Sequence, residues 1–339
     1  MAPYCSNPNK KEKAMSSLRR TTDLASLLLA MFLVNCGGSN AASLPASFSV
    51  QNGPPEDISA DGDTAYVSSL ADASIMKIDL TGSAPASTFV DKSTDELSSG
   101  WGLRIVKSKG WLLNVQNKPY DFKPEHAQAG RVVAFDLKSG KKLKSWSLPE
   151  GAVGNSVDVD ASGNIYVGDI GPQPRIVKID PFTGDVSVWA TSKQWVAGGF
   201  GVGGMVVAGK GLYAAHDNQL WYVAIASDGS AAEPEAVRIE GNPTIFADGM
   251  VWLEGELVYA ENDVLVAGAH GAVYRIAFSD ATHARRTTLR EGLSDPSGVT
   301  TTSIDGRRYL LVNESQLGFA FGVDEGSPAL PYRVDVIEP

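Results

Sequence analysis

A chain of 339 residues with 43% hydrophobic residues, 35 glycines and 18 prolines has the apolar content for a large core and too many turn formers for a mainly helical fold. Its 29 basic and 39 acidic residues leave a net charge of −10, which argues against nucleic acid or an anionic membrane surface as a partner. Only Cys5 and Cys36 are present, and both precede the repeats described below, so no disulfide is expected within the fold.

Met1 to Cys36 has the layout of a secretory signal peptide. Lys10, Lys11, Lys13, Arg19 and Arg20 precede an apolar run from Leu24 to Val34 that is too short to stay as a membrane span, and Met15 offers an alternative start. The run ends in Leu33-Val34-Asn35-Cys36, which resembles the bacterial lipobox and implies cleavage before a lipidated Cys36. An ordinary cleaved signal with Cys36 incidental is the other reading. Loss of the leader's five basic and two acidic residues leaves 24 basic and 37 acidic ones, a net charge near −13. The expected layout is a signal peptide over 1–36, a flexible tether over 37–45 and a folded domain over 46–339. Such a protein is exported to the periplasmic face or the cell surface and held at the outer membrane through Cys36. The lipid is its only expected membrane contact, and the domain is expected to be a monomer.

Phe48-Ser49-Val50 stands alone before the first repeat, as a strand that belongs to a blade further on. The repeats begin at a small polar step before a strand: Glu56-Asp57-Ile58, Trp101-Gly102-Leu103, Asn155-Ser156-Val157, Gly203-Gly204-Met205, Asp248-Gly249-Met250 and Ser297-Gly298-Val299. The steps are 45, 54, 48, 45 and 49 residues apart. The third unit states the pattern in full. Alternating Val157 and Val159, the turn Asp160 to Asn164, Ile165-Tyr166-Val167, Ile176 to Ile179, the turn Asp180 to Asp185 and Val186 to Trp189 make four short strands of period two. Second strands recur as AYVSS, WLLNVQ, IYVGD, LYAAHD, LVYAEN and YLLVNES, and third strands as IMKIDL, VVAFDL, IVKIDP, LWYVAI, VYRIAF and FAFGVD, the last over 319–324. Six such units predict an all-β fold, a six-bladed β-propeller of four-stranded antiparallel blades. The lone strand around Val50 closes the ring on the sixth blade, beside either Phe319 to Phe321 or Tyr332 to Val336.

Long loops at Asn117 to Gly130 and Asp263 to Gly271 share one face of the disc with the six register steps, so function is expected at that mouth of the central channel. The steps bring Glu56, Trp101, Asn155 and Asp248 there, and the second strands end nearby in Asn117, His216, Glu261 and Asn262. Oxygen ligands converging from several blades, Glu56, Asn155 and Asp248 foremost, suit a hard divalent cation such as Ca²⁺. Turn-capping by the same residue types is the alternative. Trp101, Asn117, His216 and Glu261 are the candidate substrate contacts, for a small-molecule substrate or ligand.

The steps Pro55-Glu56, Gly154-Asn155 and Asp248-Gly249, with blade text such as DASGNIYVGD and RIVKIDPFTGDV, resemble the six-bladed propeller family of gluconolactonases and regucalcin. That resemblance implies hydrolysis of a sugar lactone or similar ester, with Glu56, Asn155 and Asp248 as metal ligands and Asp248 also the catalytic base. A non-catalytic propeller that binds a ligand or protein partner is the second reading. Gly199 to Gly204 matches GxGxxG but precedes a strand, which rules against nucleotide binding. Val132 to Lys141 resembles a blade phrase of quinoprotein dehydrogenases, which keeps a redox enzyme as the third class.

Overall fold

The structure is a computed structural model that describes residues 44–198 and 200–338. The expected signal peptide, the lipidation expected at Cys36 and most of the expected tether lie outside the described residues. Six sheets succeed one another along the chain, with first strands Pro55–Asp61, Ser99–Val106, Gly154–Val159, Met205–Ala208, Ala247–Leu253 and Pro296–Ile304. Each first strand touches the next, and the sixth touches the first. The fold is therefore the expected six-bladed propeller.

Blade three shows why these residues make these strands. Ile165–Asp169 is buried along its whole length because neighbouring blades cover both of its faces, so the run is apolar rather than alternating through Val167 and ends on Asp169, whose carboxylate is paired with Arg175 at 2.6 Å. Asp160 holds the preceding turn by accepting from the Asn164 backbone N–H at 2.9 Å, while Gly163 supplies the left-handed φ of 89°. In the outer turn the Asp180 carboxylate accepts the Phe182 N–H at 2.8 Å. Asp79 and Asp136 accept the N–H groups of Thr81 and Ser139 in the equivalent turns of blades one and two. Hydrogen bonds hold all three carboxyls below their usual range, chiefly from Ser83 at Asp79, from Ser139 at Asp136 and from the Phe182 backbone at Asp180. Part of the acidic surplus is thus turn chemistry.

The register steps have a common structure. In blades one, two, three, five and six the first strand carries a bulge at this point, two residues opposing one on the second strand. The bulged pairs are Glu56-Asp57, Trp101-Gly102, Asn155-Ser156, Asp248-Gly249 and Ser297-Gly298. In blade four Gly203 and Gly204 face Ala215 in the same way, through Gly203 N–H to Ala215 O at 3.0 Å and Ala215 N–H to Gly204 O at 2.9 Å. Each bulge lies against the next blade's bulge around the axis. A Cβ on Gly204 would lie 1.9 Å from the Asp248 carbonyl oxygen, and one on Gly249 would lie 2.5 Å from that of Ser297, so only glycine permits this approach. Polar links bind the same ring: Asp57 accepts from Leu103 N–H at 2.7 Å and Ser156 donates to Gly203 O at 2.7 Å.

Ser47–Val50 pairs antiparallel with Tyr332–Ile337, which settles the closure left open by sequence. Blade six therefore has four strands. The segment 319–324, expected as its third strand, instead begins within the short helix Leu317–Ala320. Left-handed backbone at Gln316 and Gly322 breaks the extended run on both sides, and Asp295 accepts the Gly318 N–H at 3.0 Å. Blade five departs from the four-stranded plan, since Arg238–Ile239 adds a fifth strand parallel to His283–Leu293. Among the described residues no helix is long and apolar enough to cross a membrane.

Candidate functional site

The bulges set Glu56, Asn155 and Asp248 around the top of the channel, under a cavity of about 250 Å³. Asn155 Nδ2 donates to Asp248 Oδ1 at 3.3 Å, and Asn262 Nδ2 donates to Asp248 Oδ2 at 3.1 Å. Glu56, only 5% exposed, lines the same cavity, and its Oε2 has no hydrogen-bond partner among the described residues. Blades one, three and five thus converge, as their register steps imply.

Apolar rings and branched side chains form the walls. Phe122 stands at the centre, 4.9 Å from the ring of Phe200, 4.9 Å from that of Phe321 and 6.4 Å from that of Trp101, and Phe246 lies 5.6 Å from Phe200. These rings come from separate blades and loops, and Leu70, Ile170 and Val264 complete the lining. Phe122 holds a left-handed φ of 59°, a strained geometry for an aromatic residue that aims its ring into the cluster.

Enclosure sets the electrostatics of the floor. Burial raises the Glu56 carboxyl well above the usual range, and the charges of Asp248 and then Asp57 add to it. Asp248 is half-buried by area and lines the cavity. Burial pushes it up to about 6, against the opposing hydrogen bonds from Asn155 and Asn262. Asp57, directly below, is pushed up to about 7 by burial, with the Leu103 and Ile58 N–H groups holding it back.

The other candidates divide. Trp101 is 3% exposed and lines the cavity, its Nε1 donating to Ser99 Oγ at 2.9 Å. His216 also lines the cavity, but Nδ1 faces Gly201 O at 3.0 Å and Nε2 accepts from Val196 N–H at 3.1 Å. Both ring nitrogens are therefore engaged, and the residue braces the loop that carries Phe200. Asn117 does not line the cavity: its amide clamps Gly154, donating to the carbonyl at 2.6 Å and accepting the N–H at 3.1 Å. Glu261 lies outside as well, in a neighbouring depression, where it accepts the Phe246 N–H at 3.1 Å and stands 3.6 Å from Arg286. The end of a second strand is one residue from the mouth in either direction, so position alone did not separate Glu261 from Asn262. Phe200 and Phe246 sit in loops without a repeated register, and Phe321 falls in the run expected as a third strand, so sequence singled out none of the three as a cavity wall.

A hard cation here would need both amides to turn over, Asn262 giving up its hydrogen bond to Pro296 O at 3.1 Å. Glu56 and Asp248 supply carboxylate oxygens, Asn155 and Asn262 would supply amide oxygens after rotation, and the partnerless Glu56 Oε2 is the kind of atom a metal satisfies. Among the described residues no group of three His, Cys, Asp or Glu side chains is placed to hold a metal ion, so such an ion would rest on two acids and two amides.

Residues 128–232 match the family described as outer membrane protein assembly factor BamB. That stretch runs from the end of blade two through blade four, and it includes the Val132 to Lys141 phrase. The major allergen Mala s 1 of Malassezia sympodialis superposes with a TM-score of 0.68 at 17% identity, over 87% of this chain and 96% of that one. An auxiliary nutrient binding protein from Bacteroides thetaiotaomicron gives 0.58 at 12% identity over 85% and 70%. A streptogramin B lyase gives 0.50 at 13% identity over 79% and 82%. The likeness is one of fold. No curated protein matches the sequence. An allergen, a binding protein and a lyase on one scaffold leave function to be argued from the site.

Proposed function

We propose that the protein binds a small molecule in the mouth cavity, its apolar body among the aromatic walls and its polar end on Glu56, Asp248, Asn155 and Asn262. The observation that carries this reading is the enclosure of a partnerless buried carboxyl by rings from several blades. A structural core has no use for an unsatisfied acid oxygen, whereas a concave apolar site with a few convergent polar groups is the usual form of a ligand pocket. Calorimetric titration with octanol should show saturable binding of one molecule per chain. Phe200→Asp, in a loop where the ring packs against those of Phe122 and Phe246, should weaken that binding at least about tenfold by placing a charge in an apolar wall. Absence of saturable binding to the wild type, or equal binding to Phe200→Asp, would contradict the reading.

A second reading is hydrolysis of a sugar lactone or small ester with a divalent ion such as Ca²⁺. The partnerless Glu56 Oε2 beside Asp248 favours it. Glu56, Asp248, Asn155 and Asn262 would hold the ion, which when bound supplies Lewis acidity toward an ester carbonyl. Asp248 is placed to take a proton from water at near-neutral pH, since its carboxyl lies near 6, and the aromatic walls exclude bulk water.

We place this site outside the cytoplasm. What supports that placement is the leader-like layout of Met1 to Cys36 and the match of residues 128–232 to an outer membrane assembly factor.

A further inference from the structure

We propose, resting on the binding reading above, that the occupant of the mouth cavity carries a protonated amine, an alkylammonium group received by Glu56 with Asp248 beside it. The cavity holds two converging carboxyls and, among the described residues that line it, no lysine or arginine. His216 brings no free nitrogen, because both are held by backbone. Asp217 adds a further acid at the rim. Positive charge to match the floor must therefore come from the occupant.

Asp248 already receives one amide N–H on each oxygen, from Asn155 and Asn262, whereas Glu56 Oε2 receives none. A donor on the ligand has its place at Glu56. An ammonium offers three N–H donors on a compact head and forms charge-assisted hydrogen bonds, which are stronger than those of a hydroxyl. The carboxyl is desolvated before any ligand arrives, so the cost of stripping its water falls on folding rather than on binding. Above the floor, Trp101 and Phe122 supply aromatic surface against which an aliphatic chain packs.

Calorimetric titration of the folded chain at neutral pH with octylamine, octanol and octanoate separates this inference from the reading it rests on. Octanol reports the apolar cavity, and the ratio of octylamine to octanol affinity reports the acid floor. Octylamine is expected to bind at least about tenfold tighter than octanol, with octanoate weakest of the three. In Glu56→Gln the ratio should fall to about one, with the variant's cooperative melting confirming its fold. Equal affinity of octylamine and octanol for the wild type would overturn the inference and leave the cavity reading standing. A preference for octylamine that survives in Glu56→Gln would overturn the role given to Glu56. Failure of both octanol and octylamine to bind would overturn the cavity reading itself.

Discussion

A chain that begins after Val50 should melt at least about 10 °C below the full domain, or fail to fold, although it loses no part of the mouth cavity. Ser47–Val50 supplies four register partners to Tyr332–Ile337, and Val50 is fully buried in one core with Leu311, Tyr332 and Val334. Removing it exposes that core and leaves Tyr332–Ile337 as an open edge. Burial of one such side chain contributes about 1.5–3 kcal/mol, and the strand also joins the two ends of the ring, so the total is on the order of 5 kcal/mol or more. Val50→Asp in the full-length protein is the milder form of the same test, with an expected loss of about 3 kcal/mol from a charge buried without a partner. Melting within about 2 °C of wild type in both would show that the ring does not depend on this strand.

The second large effect is a loss of stability as pH rises, and it is reversed by a substitution in the site. Asp248 titrates near 6 and Asp57 near 7 in the folded protein, Glu56 is raised as well, and Asp335 in blade six moves to about 6. Unfolded carboxyls titrate near 4, so between about pH 4 and pH 7 the folded state holds more protons than the unfolded state. Stability is then highest at the acid end of that window and falls as pH rises through the folded values. A tenfold difference in proton affinity between the folded and unfolded states corresponds to about 1.4 kcal/mol, and allowing for solvent in the cavity Asp248 contributes on the order of 2 kcal/mol of this loss. Asp248→Asn mimics the protonated acid. It should match the wild type at about pH 5 and melt a few degrees above it at about pH 8. A wild type whose melting does not fall over this range, or a variant that melts lower at about pH 8, would contradict the assigned environment. Under the hydrolase reading, millimolar Ca²⁺ restores the wild type at about pH 8 and leaves Asp248→Asn unchanged.

The repeat was legible because its turns are local. Asp160, Asp180 and their glycines act within a few residues, and the apolar runs between them must be strands whatever surrounds them. The register step was legible for the same reason, though not its cause: a bulge needs a partner strand, and the glycine after it answers to the next blade. The convergence of Glu56, Asn155 and Asp248 followed from six equivalent steps around one axis. What sequence could not give was decided by non-local contacts. Phe319 to Phe321 alternates like a strand, yet Asp295 and the left-handed Gln316 turn it into a helix that carries Phe321 to the mouth. Asn117 has the chemistry of a ligand contact, and only the position of Gly154 across the blade boundary shows that it is a clamp.

Both readings of the mouth require that acids from blades two steps apart on the ring, Glu56 in blade one and Asp248 in blade five, share one enclosed cavity. A double-mutant cycle of Glu56→Gln and Asp248→Asn tests it, with unfolding free energies measured at about pH 8, where both acids bear on each other most. The expected result is non-additivity of about 1 kcal/mol or more, with the second substitution relieving less than the first because the repulsion is already gone. Additivity within about 0.5 kcal/mol would place the two carboxyls in separate surroundings and contradict a shared cavity.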